Sequence, residues 1–165
     1  MKTNLKSPIG LNPLGIGPKI MKPALPFILI AILAGFWFPE IFSFRVKNEY
    51  LLVAGIILLS MGIIAYIATL AKFVKEFPHG KLITTGTFAV SRNPLYASWI
   101  IFILPSLVAL TNNWLWFLPA FAMYIAFILN IKEEENALKE IFGTEYQEYC
   151  KKVNRLFGFS CTKKC

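Results

Sequence analysis

Residues 51 to 71 read Leu-Leu-Val-Ala-Gly-Ile-Ile-Leu-Leu-Ser-Met-Gly-Ile-Ile-Ala-Tyr-Ile-Ala-Thr-Leu-Ala, a run without Asp, Glu, Lys, Arg or His. Because about 20 apolar residues cross the hydrocarbon core of a bilayer as an α-helix, this run predicts a transmembrane helix. Residues 113 to 131 qualify equally, residues 95 to 111 reach the lower limit, and residues 24 to 38 need residues 41 to 44 as well. The sequence therefore predicts an all-α, polytopic membrane helical bundle of about four transmembrane helices. The mean hydropathy of +0.59 agrees with that class.

The basic residues outside these runs predict how the bundle lies in the membrane. Cytoplasmic segments of membrane proteins are enriched in Lys and Arg. With both termini in the cytoplasm, all but Arg45 and Lys47 of the 17 Lys and Arg residues lie on the cytoplasmic side. We therefore expect cytoplasmic termini and an external turn at residues 111 to 113. The net charge of +8 then reflects topology and attraction to anionic membrane lipids, and no nucleic acid partner is expected.

The chain divides into a short arm and one membrane domain. Residues 1 to 23 contain four prolines and three glycines, a composition that breaks helices. We expect a loose cytoplasmic arm there and a single membrane domain over residues 24 to 165. Gly55 and Gly62 would let a neighbouring helix approach the second apolar run closely, which predicts a central position for that helix.

Two prolines and a glycine mark the last two runs. Pro105 and Pro119 lie inside them and predict kinks, because each removes a backbone hydrogen bond. The helical spacing of apolar residues continues beyond the fourth run to Phe142, so that helix should project into the cytoplasm and end at Gly143. A capping box that starts at Thr144 predicts a short C-terminal cytoplasmic helix, folded back onto the body or onto the membrane surface.

The longest polar interruption of this apolar chain lies at residues 79 to 96. Asn93 can cap a helix and Pro94 suits the first helical position, so a helix is predicted to begin at Pro94. Its free N–H groups and the positive end of its dipole would lie near Arg92, and together they would form a site for a carboxylate or a phosphate. A second interpretation is that Asn93 and Pro94 only start a membrane helix while Arg92 contacts lipid headgroups.

Three adjacent carboxylates, Glu133, Glu134 and Glu135, follow the fourth run. On a helix, Glu134 and Glu135 flank the apolar face that contains Leu138, whereas Glu133 points away from it. We expect the carboxylates at the same membrane surface as Arg92, where anion-binding and cation-binding groups together would suit a zwitterionic or cationic ligand. The alternative is a solvated acidic surface.

Residues 79 to 155 contain several short motifs in a fixed order. This ordered pattern consists of Leu82-Ile83-Thr84-Thr85-Gly86-Thr87-Phe88, Arg92-Asn93-Pro94-Leu95-Tyr96, a helical hairpin, Glu134-Glu135, Leu138, Phe142-Gly143, Tyr146 and Tyr149. This pattern resembles the integral-membrane methyltransferases that include isoprenylcysteine carboxyl methyltransferase and the phospholipid N-methyltransferases. The resemblance implies a methyltransferase whose cofactor, S-adenosylmethionine, binds within residues 79 to 155.

The resemblance also implies which residues contact S-adenosylmethionine. Those that would line its adenosyl part are Leu82, Ile83 and Phe88. Those that would hold its methionine end are Asn93, Pro94, Leu95 and Tyr96. Glu134 would bind the ammonium group. His79 stands further from Leu82 than the corresponding His of the family, so its contact with the cofactor stays open.

The acceptor of the methyl group is expected to be a lipid or a lipidated molecule that enters from the bilayer. In the carboxyl methyltransferases an Arg one helical turn before the first Glu meets the acceptor's carboxylate; here that position is Asn130, which leaves Lys132 as the nearby cation. An amine acceptor must instead lose a proton, which Glu135 beside Glu134 could accept. The sequence thus favours a phospholipid amine by a small margin, with an isoprenylcysteine carboxylate as the alternative. The predicted catalytic residues are Glu134, Glu135 and Arg92.

Two other classes of protein stay open. A non-catalytic relative would keep the fold without the activity. A small four-helix transporter would be expected to carry an ionisable residue within a span, and none of the four runs has one.

No metal is expected, because Cys150, Cys161 and Cys165 match no zinc-ligand spacing. The roles of Cys161 and Cys165 stay open, as does the oligomeric state.

Overall fold

The structure, a computed structural model, describes residues 15 to 44 and 48 to 157. Its helices are α1 (Gly17–Trp37), α2 (Pro39–Phe42), α3 (Asn48–Glu76), α4 (Pro94–Leu110) and α5 (Phe117–Lys152). Short 3₁₀ turns lie at Phe77–His79, Gly86–Ala89 and Trp114–Trp116. The predicted all-α class is confirmed for these residues. The expectations for residues 1 to 14, Arg45, Lys47, Cys161 and Cys165 lie outside the described residues.

Three of the helices are long and apolar enough to cross a membrane. They are α1, α3 together with its 3₁₀ extension (Glu49–His79), and α5 with the turn before it (Trp114–Lys152). The apolar helix α4 is shorter, and at 1.5 Å per residue it measures about 25 Å against a hydrocarbon core of about 30 Å. A membrane helical bundle is thus confirmed, whereas the count of four spans stays a prediction.

The first transmembrane helix begins earlier than predicted. α1 starts at Gly17, so part of the segment expected to be a loose arm is helical. Pro18 lies in the first turn, where its missing N–H removes no helical hydrogen bond, and Pro23 and Pro26 are accommodated inside the helix. Prolines are better tolerated in membrane helices than in soluble ones, which is why their number misled the prediction. α1 reaches 21 residues by this extension and ends before Pro39.

The helix α4 contains a π-helical segment. Pro94–Ala97 is α-helical, Ser98–Ile103 is π-helical, and Leu104–Leu110 is α-helical again. The π-helical segment directly precedes Pro105, whose ring would clash with the carbonyl four residues earlier in a regular α-helix. Pro119 lies in the first turn of α5, where a proline breaks no hydrogen bond, so the reason for the predicted kink there is absent.

The helices pack in two pairs, α1 with α5 and α3 with α4. A Cβ atom built on Gly55 would lie 2.8 Å from Leu110 Cγ, and one on Gly62 would lie 2.9 Å from Phe102 Cβ. The predicted close approach is therefore confirmed. The predicted central position of α3 is wrong, since its remaining faces are exposed, with Ile64 68% accessible. Gly55 and Gly62 therefore lie on the face of α3 that contacts α4, and the other faces of α3 are available to lipid.

The core lies between α1, α4 and α5. Its most buried members are Ile20, Leu104, Phe127 and Ile131. α5 leaves helical conformation at Gly143, where the predicted break falls, but continues as a helix to Lys152. Beyond the break, buried residues pack against the loop before α4 and against α5 itself. They are Tyr146, Tyr149, Cys150 and Val153, with Leu82, Leu138 and Phe142 against them. The residues after Gly143 therefore pack on the body, whereas a separate short C-terminal cytoplasmic helix stays a prediction.

Candidate active site

A cavity of about 590 Å³ lies between α1, α3, α4, α5 and the loop that precedes α4. Nine of the predicted site residues line it: Leu82, Ile83, Phe88, Arg92, Asn93, Pro94, Leu95, Tyr96 and Glu134. Four predicted residues do not line it: His79, Asn130, Lys132 and Glu135. The volume is in the range of small-molecule sites. The fold thus brings together two segments that are about 40 residues apart in sequence.

The polar part of the lining around Glu134 and Tyr96 is called the polar end below, and it is organised by Glu134. Its Oε2 atom accepts hydrogen bonds from the Tyr96 hydroxyl, at 3.2 Å, and from the Ile16 backbone N–H, at 3.4 Å. Glu134 is half-buried, so its charge acts in a partly desolvated environment. Sequence reasoning missed Ile16, because a backbone N–H carries no signature in the sequence. The prolines and glycines around it predicted only a loose arm.

A second part of the lining is apolar and is called the apolar end below. It consists of side chains of four helices, namely Ile20, Met21, Tyr66, Leu70, Phe73, Trp99 and Met123. Tyr66 and Trp99 meet edge to face across α3 and α4, with ring centroids 6.2 Å apart. Sequence reasoning missed these residues because helical periodicity distinguishes neither a cavity wall from a core nor a core from a lipid-facing surface.

Glu135 does not lie in the cavity. It is 4% accessible and is bound by two arginines: Arg155 donates from Nε at 2.8 Å and from Nη2 at 2.6 Å, and Arg92 Nη1 lies 3.1 Å from Oε1. Both oxygens of the Glu135 carboxylate are thus engaged by guanidinium groups, outside the cavity in which an acceptor would bind. The predicted role of Glu135 as a base therefore does not fit its surroundings. The hydrogen bonds to Glu135 raise the pKa of Arg155 above its ordinary value.

The chain after α5 fixes the backbone of the Arg92-Asn93 segment. The carbonyl oxygen of Arg155 accepts from Asn93 N and Asn93 Nδ2, each at 3.1 Å, and from Ser91 Oγ at the same distance. The backbone N–H of Arg92 donates to the carbonyl of Asn154 at 2.9 Å. α4 begins at Pro94 as predicted, but the Asn93 side chain binds Arg155 and makes no cap hydrogen bond.

The other predicted residues lie elsewhere. His79 is exposed at the end of a 3₁₀ turn, and Lys132 is exposed on α5. The Asn130 amide donates to the Ala126 carbonyl at 2.7 Å, within its own helix. Lys81 does line the cavity and was missed by sequence reasoning. Among the described residues no cluster of three or more His, Cys, Asp or Glu is placed to hold a metal ion.

Comparison with known proteins shows which sequences this chain is similar to. The model of the protein family described as phospholipid methyltransferase matches residues 46–145 of this chain. The protein-S-isoprenylcysteine O-methyltransferase of Saccharomyces cerevisiae is 30% identical over 140 residues, which are 76% of this chain and 57% of that protein. Protein-S-isoprenylcysteine O-methyltransferase B of Arabidopsis thaliana is 31% identical over 80 residues, which are 48% of this chain and 41% of that protein.

A probable protein-S-isoprenylcysteine O-methyltransferase of Oryza sativa subsp. indica is 34% identical over 74 residues, which are 45% of this chain and 39% of that protein. The chain thus spans about half the length of the curated relatives it matches. The resemblance drawn from the ordered polar pattern is confirmed by these matches. Since the family match covers more than half of the sequence, the chain belongs to the phospholipid methyltransferase family of membrane proteins.

Proposed function

We propose that this chain is an S-adenosylmethionine-dependent methyltransferase that acts on a lipid or a lipidated acceptor in the membrane. The observation that carries the proposal is one cavity whose lining combines polar and apolar parts. Glu134 and Tyr96 belong to the polar end, and Tyr66, Phe73 and Trp99 belong to the apolar end. A charged soluble molecule and an apolar chain can therefore meet in the same space. Relatives named O-methyltransferases support the same reaction class.

The residues at the polar end fit S-adenosylmethionine. Both donors to Glu134 bind Oε2, and a carboxylate has acceptor capacity on each of its two oxygens. Oε1 would accept from the cofactor's ammonium group. Leu82, Ile83 and Phe88 would contact its adenosyl part, since they are apolar and line the same cavity. When bound, the cofactor supplies an electrophilic methyl group.

The protein's own contribution would be alignment and exclusion of water. The backbone of the Asn93 segment is fixed by the chain after α5, and Tyr96 is fixed by Glu134. A rigid frame of this kind reduces the entropic cost of bringing the acceptor atom in line with the methyl group. The apolar wall formed by Ile20, Met21 and Leu70 would bind an acyl or prenyl chain and keep water out.

The chemistry of the acceptor follows from which groups can serve it. The preference for an amine depended on Glu135 as a proton acceptor, and Glu135 is paired with Arg92 and Arg155 instead. A carboxylate acceptor is already ionised at neutral pH and needs no base. We therefore place an isoprenylcysteine-type carboxylate first, with Lys81 as the cation that would bind it. A phospholipid amine is the second candidate, favoured by the description of the family.

A labelling experiment tests the proposal. Purified protein is incubated with methyl-labelled S-adenosylmethionine and either a farnesylcysteine analogue or phosphatidylethanolamine vesicles. We expect label in the farnesylcysteine analogue, and we expect Glu134→Gln to weaken cofactor binding about tenfold or more, since it removes a charge-assisted contact. Glu140→Gln, an exposed position on the same helix, is the matched control and should bind normally.

Each other outcome has a definite meaning. Label in phosphatidylethanolamine alone would show that the acceptor is an amine and not a carboxylate. Cofactor binding without transfer to any lipid would favour the non-catalytic relative. No cofactor binding by the unmodified protein, measured by calorimetry at millimolar concentration, would refute the proposal.

A further inference from the structure

The polar end of the cavity is closed by residues that lie outside the matched part of the family. The family match begins at residue 46, whereas Gly15 and Ile16 precede α1 and line the cavity beside Glu134. Gly15 and Ile16 are called the N-terminal turn below. Its place in the cavity wall is unexpected from the sequence, which predicted a loose arm.

The N-terminal turn is held firmly at this place. Ile16 is 5% accessible and packs in the core with Phe127 and Ile131 of α5. Its carbonyl accepts the backbone N–H of Ile20 at 3.1 Å, which ties the turn to α1. Lys19, in the first turn of α1, forms an exposed ion pair with Glu133 of α5. The backbone N–H of Ile16 is therefore presented to Glu134 by packing on two helices.

Gly15 occupies a position that other residues would fill with difficulty. Its φ angle is +50°, in the left-handed region that glycine tolerates best. A Cβ atom built there would lie 2.9 Å from Glu134 Oε2 and 3.1 Å from the Tyr96 hydroxyl oxygen. The missing side chain thus lets the backbone approach the two polar groups of the cavity at once.

From this geometry we infer that the N-terminal turn is part of the cofactor site. The Ile16 N–H and the Tyr96 hydroxyl together orient Glu134 through Oε2 and leave Oε1 for the ammonium group of S-adenosylmethionine. Gly15 is the residue that makes this approach sterically possible. The inference rests on the proposed function and adds to it a positioning element from the start of the described chain.

The opposite assignment makes a different prediction. If the turn occupied the place of the ammonium group, it would compete with the cofactor. Loosening the turn would then strengthen cofactor binding. A positioning role predicts that the same change weakens it. The sign of the change in affinity therefore separates the two.

The experiment compares a change inside the N-terminal turn with a change outside the cavity. Gly15→Ala places a methyl group against Glu134 and Tyr96. Calorimetric titration of the full chain in detergent with S-adenosylmethionine should show affinity at least about tenfold weaker for Gly15→Ala. Lys22→Ala, exposed on α1 and away from the cavity lining, is the control and should stay within about twofold of the unmodified protein. The midpoint of thermal unfolding without ligand, measured alongside, reports any loss of fold.

A double-mutant cycle with Glu134→Gln separates positioning from a general loss of structure. If Gly15 acts through Glu134, Gly15→Ala should add little to the effect of Glu134→Gln. Full additivity of the two effects would overturn the inference, as would unchanged or tighter binding by Gly15→Ala. These outcomes differ from failure of the proposed function, in which the unmodified protein itself would not bind.

Discussion

Adjacent glutamates on α5 have different surroundings. Glu134 lies at the polar end of the cavity, and Glu135, about 100° further around the helix, is buried between Arg92 and Arg155. The sequence predicted correctly that both turn toward the protein. It could not separate their environments, because Arg155 lies 20 residues further along and returns to Glu135 only after the break at Gly143.

This difference predicts the effect of Glu135→Gln. The amide keeps the shape of the carboxylate but removes the negative charge that Arg92 and Arg155 share, and breaking a buried ion pair costs roughly 3 kcal/mol. We expect a clearly lower midpoint of thermal unfolding in detergent, with activity lost in parallel with folded protein. Glu140→Gln is the control for a charge change on the exposed face. An unchanged midpoint of thermal unfolding with strongly reduced turnover of the folded protein would instead support a role of Glu135 as a general base.

At the scale of helices, local signatures predicted some boundaries and context decided others. Asn-Pro at residues 93 and 94 and Gly143 mark a start and a break that the structure confirms. These positions depend on one or two residues whose backbone preferences are strong. The start of α1 could not be predicted in the same way. The prolines of residues 1 to 23 predict a loose arm, whereas packing of Ile20 against α5 stabilises a helix from Gly17 onward.

The contact of α3 with α4 gives a prediction at this scale. Gly62 has Phe102 Cβ, Ile103 Cγ1 and the Ile103 backbone N within about 3.3 Å of its Cβ position, so a side chain there forces the helices apart. Gly62→Val should lower stability by about 1–3 kcal/mol, as overpacking does. Ala68→Val, exposed on the same helix, is the matched control and should leave thermal unfolding unchanged. Equal unfolding midpoints for the two variants would show that α3 and α4 do not pack as described.

At the scale of the whole molecule, charge and apolar surface are arranged for a membrane. α1 and α3 expose many large apolar side chains, while Arg92, Glu134 and Glu135 gather near one end of the bundle. Part of the cavity lining was predictable, since thirteen of its residues belong to the ordered pattern between residues 79 and 155. The apolar end was not, because its residues come from four helices and share no spacing in sequence.

The charge distribution also predicts which side of the membrane the polar end faces. Since all but two basic residues fall on one side of the four-run topology, the polar end should face the cytoplasm, from which a charged soluble cofactor can enter. A cysteine introduced at Thr111, in the exposed turn after α4, should gain impermeant maleimide label in intact cells. One introduced at Lys152, exposed at the end of α5, should gain label only in inside-out vesicles, each measured against the unmodified chain. If both positions label from the same side, α4 does not cross the membrane. The polar end of the cavity and the turn at residue 111 would then share one surface, and the cytoplasmic route for the cofactor would lose its support.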